Sequence, residues 1–302
     1  MTPVPESRGT SFAKGLWLRA LLVLGLALQL PLAEAIDLRP GEARAPMPGV
    51  NFVQVRWQES DRDGRYVNGA LLPGDRRISA SIRALRVASG FSVGDYPAVA
   101  YLEVPQGEIR GEGLASSLGS DSGLGDAAAV FGIWPYVDRE AKRYFGVGAY
   151  LIMPTGSYSS ERTLNMGENR VRTALQAAAH AALIGPLEGM VAADVLWFGK
   201  NDDYTPNHFV REQKALYSTQ AGLLYQLTPT LDVSASYFLT LGGEDRFNGV
   251  RQDNAMRVQR YQVSAHAVTP VGLFILQYGA DLDTRNGYFE KNNLILRYAL
   301  RF

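Results

Sequence analysis

The sequence predicts an all-β protein: a closed antiparallel transmembrane β-barrel of about 12 strands, preceded by a cleaved signal peptide. Three observations lead to this fold class. The chain starts with an export signal, most of the remainder alternates between apolar and polar residues, and short and long connections follow one another in turn. Lipid offers no hydrogen-bond partners, so such strands must close into a barrel.

The composition of the 302-residue chain disfavours several classes of protein. Thirty Lys and Arg balance 30 Asp and Glu, which gives no reason to expect a nucleic-acid partner. Because cysteine is absent, there is no thiolate metal site or cysteine nucleophile. The three histidines (His180, His208 and His266) lack the spacing of a zinc hydrolase. We expect no metal and no cofactor.

The first 35 residues have the layout of a secretory signal peptide. Basic residues precede an apolar run at 21–32, which is short of the roughly 20 residues that a membrane-spanning helix needs. Ala33-Glu34-Ala35 then provides a small-x-small cleavage site. We expect cleavage after Ala35, a short periplasmic N-terminal segment at 36–48 and a barrel at 49–302. This short segment can also thread the lumen as a plug, because its prolines favour extended chain.

Period-two alternation marks the strands and is clearest at the C-terminus, where Leu294, Leu296 and Tyr298 alternate with Arg297 and other polar residues. The segments are about ten residues long or longer, as tilted membrane-spanning strands are. Segment 173–184 also has helix propensity, but the Gly-Pro break that follows it favours a strand. The approximate strand limits are 49–57, 76–87, 95–105, 125–134, 142–153, 170–184, 187–198, 214–227, 231–241, 255–268, 271–282 and 291–302.

The connections and the aromatic residues predict the location. Short connections are typical of periplasmic turns and long polar ones of outer loops, which indicates the outer membrane of a Gram-negative bacterium, with its lipid as a partner. The long connections are predicted at 57–76, 106–123, 154–169, 199–212, 242–253 and 283–290. The aromatic residues near strand ends are expected to form an interfacial girdle: Trp57, Trp134, Tyr136, Trp197, Phe198, Tyr298 and Phe302.

An ordered set of motifs supports a family resemblance over roughly residues 120–302. The motifs are Gly123-Leu-Gly125-Asp126, Pro154-Thr-Gly156-Ser-Tyr158, Leu164-Asn165-Met-Gly167-Glu-Asn169-Arg170, Leu227-Thr-Pro229-x-Leu231 and a terminal strand ending in Phe302. The set resembles the outer-membrane transporters of the meta-pathway of phenol degradation (MetA-pathway type). The resemblance implies a barrel that helps small hydrophobic or aromatic compounds cross the outer membrane, and we expect it to be monomeric or weakly oligomeric. The terminal Tyr298, Leu300 and Phe302 resemble the signal read by the outer-membrane assembly machinery, an expected partner.

Strand parity predicts which polar side chains line the lumen. The candidates are Arg83, Arg172, Gln176, His180, Asp194, Gln220, Arg260, His266, Arg297 and Arg301. They suit either a cation-rich lining that selects the solute, or polar filling of a narrow barrel in which Asp194 compensates an arginine. The motif candidates are Gly125, Asp126, Pro154, Gly156, Asn165, Gly167 and Asn169. They suit either turns, since Gly and Asn tolerate positive φ, or an outer loop that folds into the mouth and captures ligand.

Two other functions stay open at this point. The first is a structural or adhesive barrel that acts through its loops. The less favoured one is an outer-membrane lipid hydrolase, for which Ser264 and His266 share a lumen face without a marked third catalytic group. We therefore expect no catalytic residues. Segment 111–125 is rich in glycine but lacks the Gly-Lys-Ser/Thr ending of a phosphate-binding loop, so transport is expected to be passive.

Overall fold

The computed structural model describes residues 36–205 and 207–302, so the predicted signal peptide at 1–35 lies outside the described residues. A single-turn 3-10 helix occupies Ser116–Leu118, and no helix in the described ranges is long and apolar enough to cross a membrane. The strands are β1 (Asn51–Val67), β2 (Ala70–Leu71), β3 (Arg76–Val93), β4 (Tyr96–Gly113), β5 (Ser120–Leu124), β6 (Ala127–Asp138), β7 (Arg143–Met153), β8 (Arg172–Ile184), β9 (Leu187–Phe198), β10 (Asn201–Tyr204), β11 (Phe209–Gln213), β12 (Leu216–Thr228), β13 (Leu231–Gly242), β14 (Asp245–Phe247), β15 (Val250–Arg251), β16 (Met256–Thr269), β17 (Gly272–Thr284) and β18 (Gly287–Arg301).

Twelve long antiparallel strands form a closed barrel. They are hydrogen-bonded in the order β1, β3, β4, β6, β7, β8, β9, β12, β13, β16, β17 and β18, and β18 pairs with β1 to close the ring. This confirms the predicted fold. The alanine-rich segment with helix propensity is strand β8, because its backbone is paired with β7 on one side and β9 on the other.

The strands extend further on the loop side than the sequence indicated. β1, β3 and β4 have 17 or 18 residues each, so the predicted long loops at 57–76 and 106–123 are largely strand. Where these strands extend beyond the lipid, their outward-facing side chains are polar, as in the hydrogen bond from Ser81 Oγ to Glu59 Oε1 (2.7 Å). The alternation of apolar and polar residues that predicts a strand is therefore lost there. The predicted loop at 283–290 is also wrong, since only Arg285 and Asn286 separate β17 from β18.

The outward face carries the large apolar side chains, and the girdle prediction holds for some of the aromatic residues. Trp57, Tyr136, Trp197 and Phe302 are exposed on the outside. Trp134 and Phe198 instead turn inward, because they stay in phase with the lumen-facing residues of β6 and β9. A bulge between Ile133 and Tyr136 shifts the phase of β6 and turns Tyr136 outward.

A second, smaller sheet lies at the end of the barrel that has the long connections. It consists of β10, β11, β14 and β15, which come from the two connections that follow β9 and β13. The rings of Tyr204 and Phe247 stack within it at 5.3 Å, and Arg211 pairs with the buried Asp245 at 2.9 Å. These contacts order two long outer loops.

Candidate functional site: the barrel lumen

Residues 36–48 form the plug segment, which lies inside the lumen as far as Pro46 and is exposed at Met47 and Pro48. The backbone of Leu38 exchanges hydrogen bonds with the side chain of Gln220, and Trp134 Nε1 donates to the carbonyl of Ala43 (2.8 Å). Of the two arrangements considered for this segment, the structure shows the threaded one and not a free periplasmic one. The segment therefore narrows the periplasmic half of the passage.

Alternating charges fasten the plug segment to the wall. Each charged side chain meets a wall residue of opposite sign: Asp37 meets Arg260, Arg39 meets Asp232 (2.9 Å), Glu42 meets Arg297 (3.1 Å) and Arg44 meets Glu188. These pairs are largely buried, so removing one partner leaves an uncompensated charge, which costs about 3–5 kcal/mol. The charges of the plug segment are thus complementary to those of the lumen wall at four positions.

A second constriction lies near mid-height. Glu103 binds Arg56 (3.0 Å) and Arg86 (2.8 Å) from two strands of the wall, and all three side chains are shielded from solvent. The guanidinium of Arg86 also lies over the ring of Tyr101 at 4.3 Å. This cluster was not predicted from the sequence, although Arg86 lies on the same face of β3 as the lumen-facing Ile82.

The prediction that Arg83 lines the lumen is wrong, since its side chain is exposed on the outer face of β3. It lies opposite Trp57 in the register of β1 and β3. The prediction failed because the outer half of the lumen is apolar here: Ile78 and Ile82 fill it, and Arg83 takes the other face. Near the membrane interface an outward arginine costs only about 0–1 kcal/mol.

The other nine lumen candidates face inward. Gln176, Asp194, Gln220, Arg260 and Arg297 lie near the plug segment at mid-height, His180, His266 and Arg301 lie toward the chain termini, and Arg172 lies toward the mouth. The compensation of an arginine by Asp194 is not the arrangement seen. Asp194 lies between Gln176 and Ser218 in the ladder, and Arg260 pairs with Asp37.

The connection 154–171 folds into the mouth of the barrel. Leu164 and Met166 are 0% and 1% exposed, and they pack against Ile78 and Ile109 of the wall. Asn165 holds the connection together, because its side chain accepts from Ser159 N (2.8 Å) and donates to the carbonyls of Ser159 and Arg162. The connection therefore folds inward at the mouth, and capture of a ligand by it stays a prediction.

Three glycines of the motifs allow backbones to touch. A Cβ on Gly156 would lie 2.7 Å from Gly167 Cα and 2.8 Å from the carbonyl carbon of Gly125, far inside ordinary contact. These glycines are not in the left-handed region, so the expectation of positive φ is wrong for them. It is right for Asn169, with φ of 53°. Pro154 follows β7 directly and starts the connection.

Asp126 is the anchor of this loop. Its carboxylate accepts from the backbone N–H groups of Gly156 and Glu168 (both 3.0 Å) and pairs with Arg172 at 3.2 Å. Burial raises the pKa of the Glu168 carboxyl, but Arg172 and Arg170 outweigh burial and hold that pKa at about 2. The loop is thus fastened by charges that persist at physiological pH.

Among the described residues, two lumen cavities share wall residues at the mid-height constriction. The larger has a volume of about 450 Å³ and is lined by the plug segment and by Tyr101, Val130, Trp134 and Tyr150 of the wall. The smaller, of about 50 Å³, lies beneath Met166 of the mouth loop (residues 154–171). Arg56 and Glu103 border both cavities. A path from the mouth to the periplasm therefore passes a loop, an ion-pair cluster and a plug.

One solved structure is closely similar to this barrel. A crystal structure of an outer membrane channel from Pseudomonas putida F1 is 30% identical, with a TM-score of 0.85 over 88% of this chain and 100% of that chain. The toluene transporter TodX from Pseudomonas putida is 6% identical, with a TM-score of 0.47 over 88% of this chain and 93% of that chain. No curated protein matches.

A family model covers most of the barrel. The family described as "Putative MetA-pathway of phenol degradation" matches residues 60–298. This agrees with the resemblance drawn from the loop motifs, and the closed barrel agrees with an outer-membrane location. The chain belongs to this phenol-degradation family and is a β-barrel of the Gram-negative outer membrane.

Proposed function

We propose that the barrel is a passive conduit that takes up small hydrophobic or aromatic compounds across the outer membrane. The observation that carries the proposal is the lumen cavity of about 450 Å³, which lies in the size range of small-molecule sites. Aromatic rings (Tyr101, Trp134 and Tyr150) contribute to its wall, so a phenol-like compound meets apolar surfaces together with hydrogen-bonding groups.

The comparisons support the same proposal. The family description refers to phenol degradation, and the similar Pseudomonas structure is an outer membrane channel. In the chain itself, the path is narrowed at the mouth loop, at Glu103 and at the plug segment. Uptake therefore requires these contacts to rearrange, while the concentration gradient of the solute supplies the driving force. Ion pairs that separate as a neutral compound passes and re-form behind it would avoid a permanently open aqueous pore.

Fluorescence tests whether aromatic compounds enter the cavity. Trp134 lies in the lumen, whereas Trp57 and Trp197 face outward. An aromatic compound that enters should quench the emission of Trp134, and the quenching should disappear in Trp134→Phe but persist in Trp57→Phe. Equal quenching in both variants would show that the compound only partitions into the surrounding lipid or detergent, and it would refute the proposal.

Conductance tests the passage itself. In planar bilayers the intact barrel should conduct ions weakly, and a variant lacking residues 37–47 should conduct several-fold more, because four wall contacts of the plug segment are lost. A matched control is Arg83→Leu, which changes the charge of the outer face only. Unchanged conductance after the deletion would show that the plug segment does not limit passage.

The C-terminal residues are proposed to guide assembly. Tyr298, Leu300 and Phe302 share the outward face of β18, where assembly machinery can reach them before closure. Phe302→Ala should lower the amount of folded barrel in outer membranes more than Phe274→Ala, another outward aromatic residue. Equal amounts from both variants would assign Phe302 a lipid contact only.

A catalytic role is not part of the proposal. His266 Nδ1 bonds the Asp232 carboxylate (2.9 Å) and Ser264 Oγ bonds Ser234 Oγ (2.5 Å), so each has a partner on β13. Asp232 in turn binds Arg39 of the plug segment, which makes His266 a support for the plug. Lipase activity in detergent that is abolished by His266→Ala would contradict this view.

A further inference from the structure

Ile36 occupies the inner end of the plug segment and is almost wholly enclosed. It is 4% exposed, and its side chain lies in a lumen cluster with Tyr150, Leu196 and other apolar residues of six strands. Its carbonyl oxygen accepts a hydrogen bond from Gln176 Nε2 at 2.6 Å. The backbone of this residue is therefore fixed against the wall at mid-height.

The charged groups around Ile36 do not balance. Asp37 pairs with Arg260, and Asp194 lies opposite Gln176, the residue that holds the carbonyl of Ile36. The neighbouring Arg172 binds Glu168 (2.7 Å), and the imidazole of His180 bonds Glu188 (2.6 Å), so both have other partners. Asp37 and Asp194 thus face Arg260, which also lies opposite Asp281 in the ladder. Carboxylates therefore outnumber the arginine in a largely enclosed part of the lumen, where an uncompensated charge is costly.

We infer that the first residue of the mature chain is Ile36 and that its α-ammonium group pairs with Asp194 inside the barrel. Hydrolysis of the Ala35–Ile36 peptide bond by water, in the cleavage predicted from the sequence, leaves a carboxylate on Ala35 and an amine on Ile36. The amine takes up a proton, because the ordinary pKa of an α-amino group is about 8. The added positive charge offsets one of these carboxylates.

The ladder brings the two groups within reach of each other. Gln176 and Asp194 lie directly opposite on β8 and β9, and opposite residues have Cβ atoms about 4.5–5.5 Å apart. Since Gln176 holds the carbonyl of Ile36, this residue is fixed on the side of the lumen where Gln176 and Asp194 are paired. An uncleaved chain has an uncharged amide at this nitrogen. Cleavage would therefore complete the plug as well as release the chain for export.

Competitive labelling of the mature protein tests the pairing. Intact mass should first show a chain that starts at Ile36. Trace acetylation over a range of pH, with the N-terminal peptide read by mass spectrometry, then gives the pKa and reactivity of the α-amine. Folded wild type should label at least tenfold more slowly at pH 8 than the same protein in urea, with a raised pKa.

Two variants separate the pairing from a general loosening of the plug. Asp194→Asn should bring the pKa of the amine back to or below its value in urea. Asp232→Asn, which frees Arg39 of the same segment, should leave it near the wild-type value. A different first residue, equal labelling of folded and unfolded wild type, or equal effects of the two variants would each overturn the inference. The folded-against-unfolded comparison needs no variant to fold.

Discussion

Replacing Gly156 with alanine should unseat the loop that closes the mouth. The new Cβ would lie 2.7 Å from Gly167 Cα, 2.8 Å from the Gly125 carbonyl carbon and 2.9 Å from Asp126 N. Ordinary contacts begin at 3.4 Å, so at least one backbone must move by 0.7 Å. All three neighbours are backbone, and no flexible side chain can absorb the displacement.

The expected cost is about 1–3 kcal/mol in the free energy of unfolding, as for other overpacked sites. The upper end applies if Leu164 and Met166 also lose part of their contact with the wall. Urea unfolding of the barrel in lipid vesicles measures this cost, and bilayer conductance should rise because the mouth is looser.

Gly148→Ala is the matched control. A Cβ there would meet nothing closer than Tyr150 Cε2 at 3.4 Å, and the backbone is not left-handed, so a change within about 0.5 kcal/mol is expected. If Gly156→Ala were as stable as Gly148→Ala and conducted like wild type, the loop would not be seated in the mouth as described.

Three further predictions concern the charges and the plug. The pKa of Glu168 is lowered from its usual 4.5 to about 2, because Arg172 and Arg170 outweigh burial; its stabilising effect should be full above about pH 4.5 and disappear as the pH falls to about 2. In urea unfolding measured from pH 7 to pH 2, the acid-induced loss of stability that wild type shows and Glu168→Gln lacks should fall in that window, and a difference confined to neutral pH would contradict the assignment. Arg83→Leu should change stability by no more than about 1 kcal/mol in urea unfolding, whereas a loss of 3–5 kcal/mol would place the guanidinium inside the barrel after all. Trp134→Phe should weaken the plug by about 1 kcal/mol, the value of one hydrogen bond, and single-channel recordings should show more frequent opening; identical records would mean that its bond to the plug is not formed in the membrane.

The barrel was predictable from the sequence because lipid imposes one rule on every strand. Outward side chains must be apolar, and the alternation around Leu223 on β12 or Leu296 on β18 records that rule directly. The rule says nothing about the inward face. Where the lumen is itself apolar, as beside Ile82, polarity no longer separates inside from outside, and Arg83 was placed on the wrong side.

The plug contacts were beyond local sequence reasoning for a different reason. Glu42 and Arg297 are 255 positions apart, and each looks like an ordinary charged residue in its own segment. Only the closed ring brings them together. The mouth loop was more accessible, since the motif containing Gly156 and Gly167 stood out, but the need for backbone contact between them has no signature in composition.

The plug segment also acts mechanically. Its charged side chains contact four different strands and so cross-link the barrel wall from the inside. The wall residues contacted are Arg260 on β16, Asp232 on β13, Arg297 on β18 and Glu188 on β9. A barrel of hydrogen-bonded strands resists stretching, but its circular cross-section is easily flattened. Contacts that connect opposite sides of the wall resist this flattening. Displacing the plug segment therefore both widens the passage and makes the barrel wall easier to deform. A solute that displaces the segment moves through a barrel whose wall is more flexible around it.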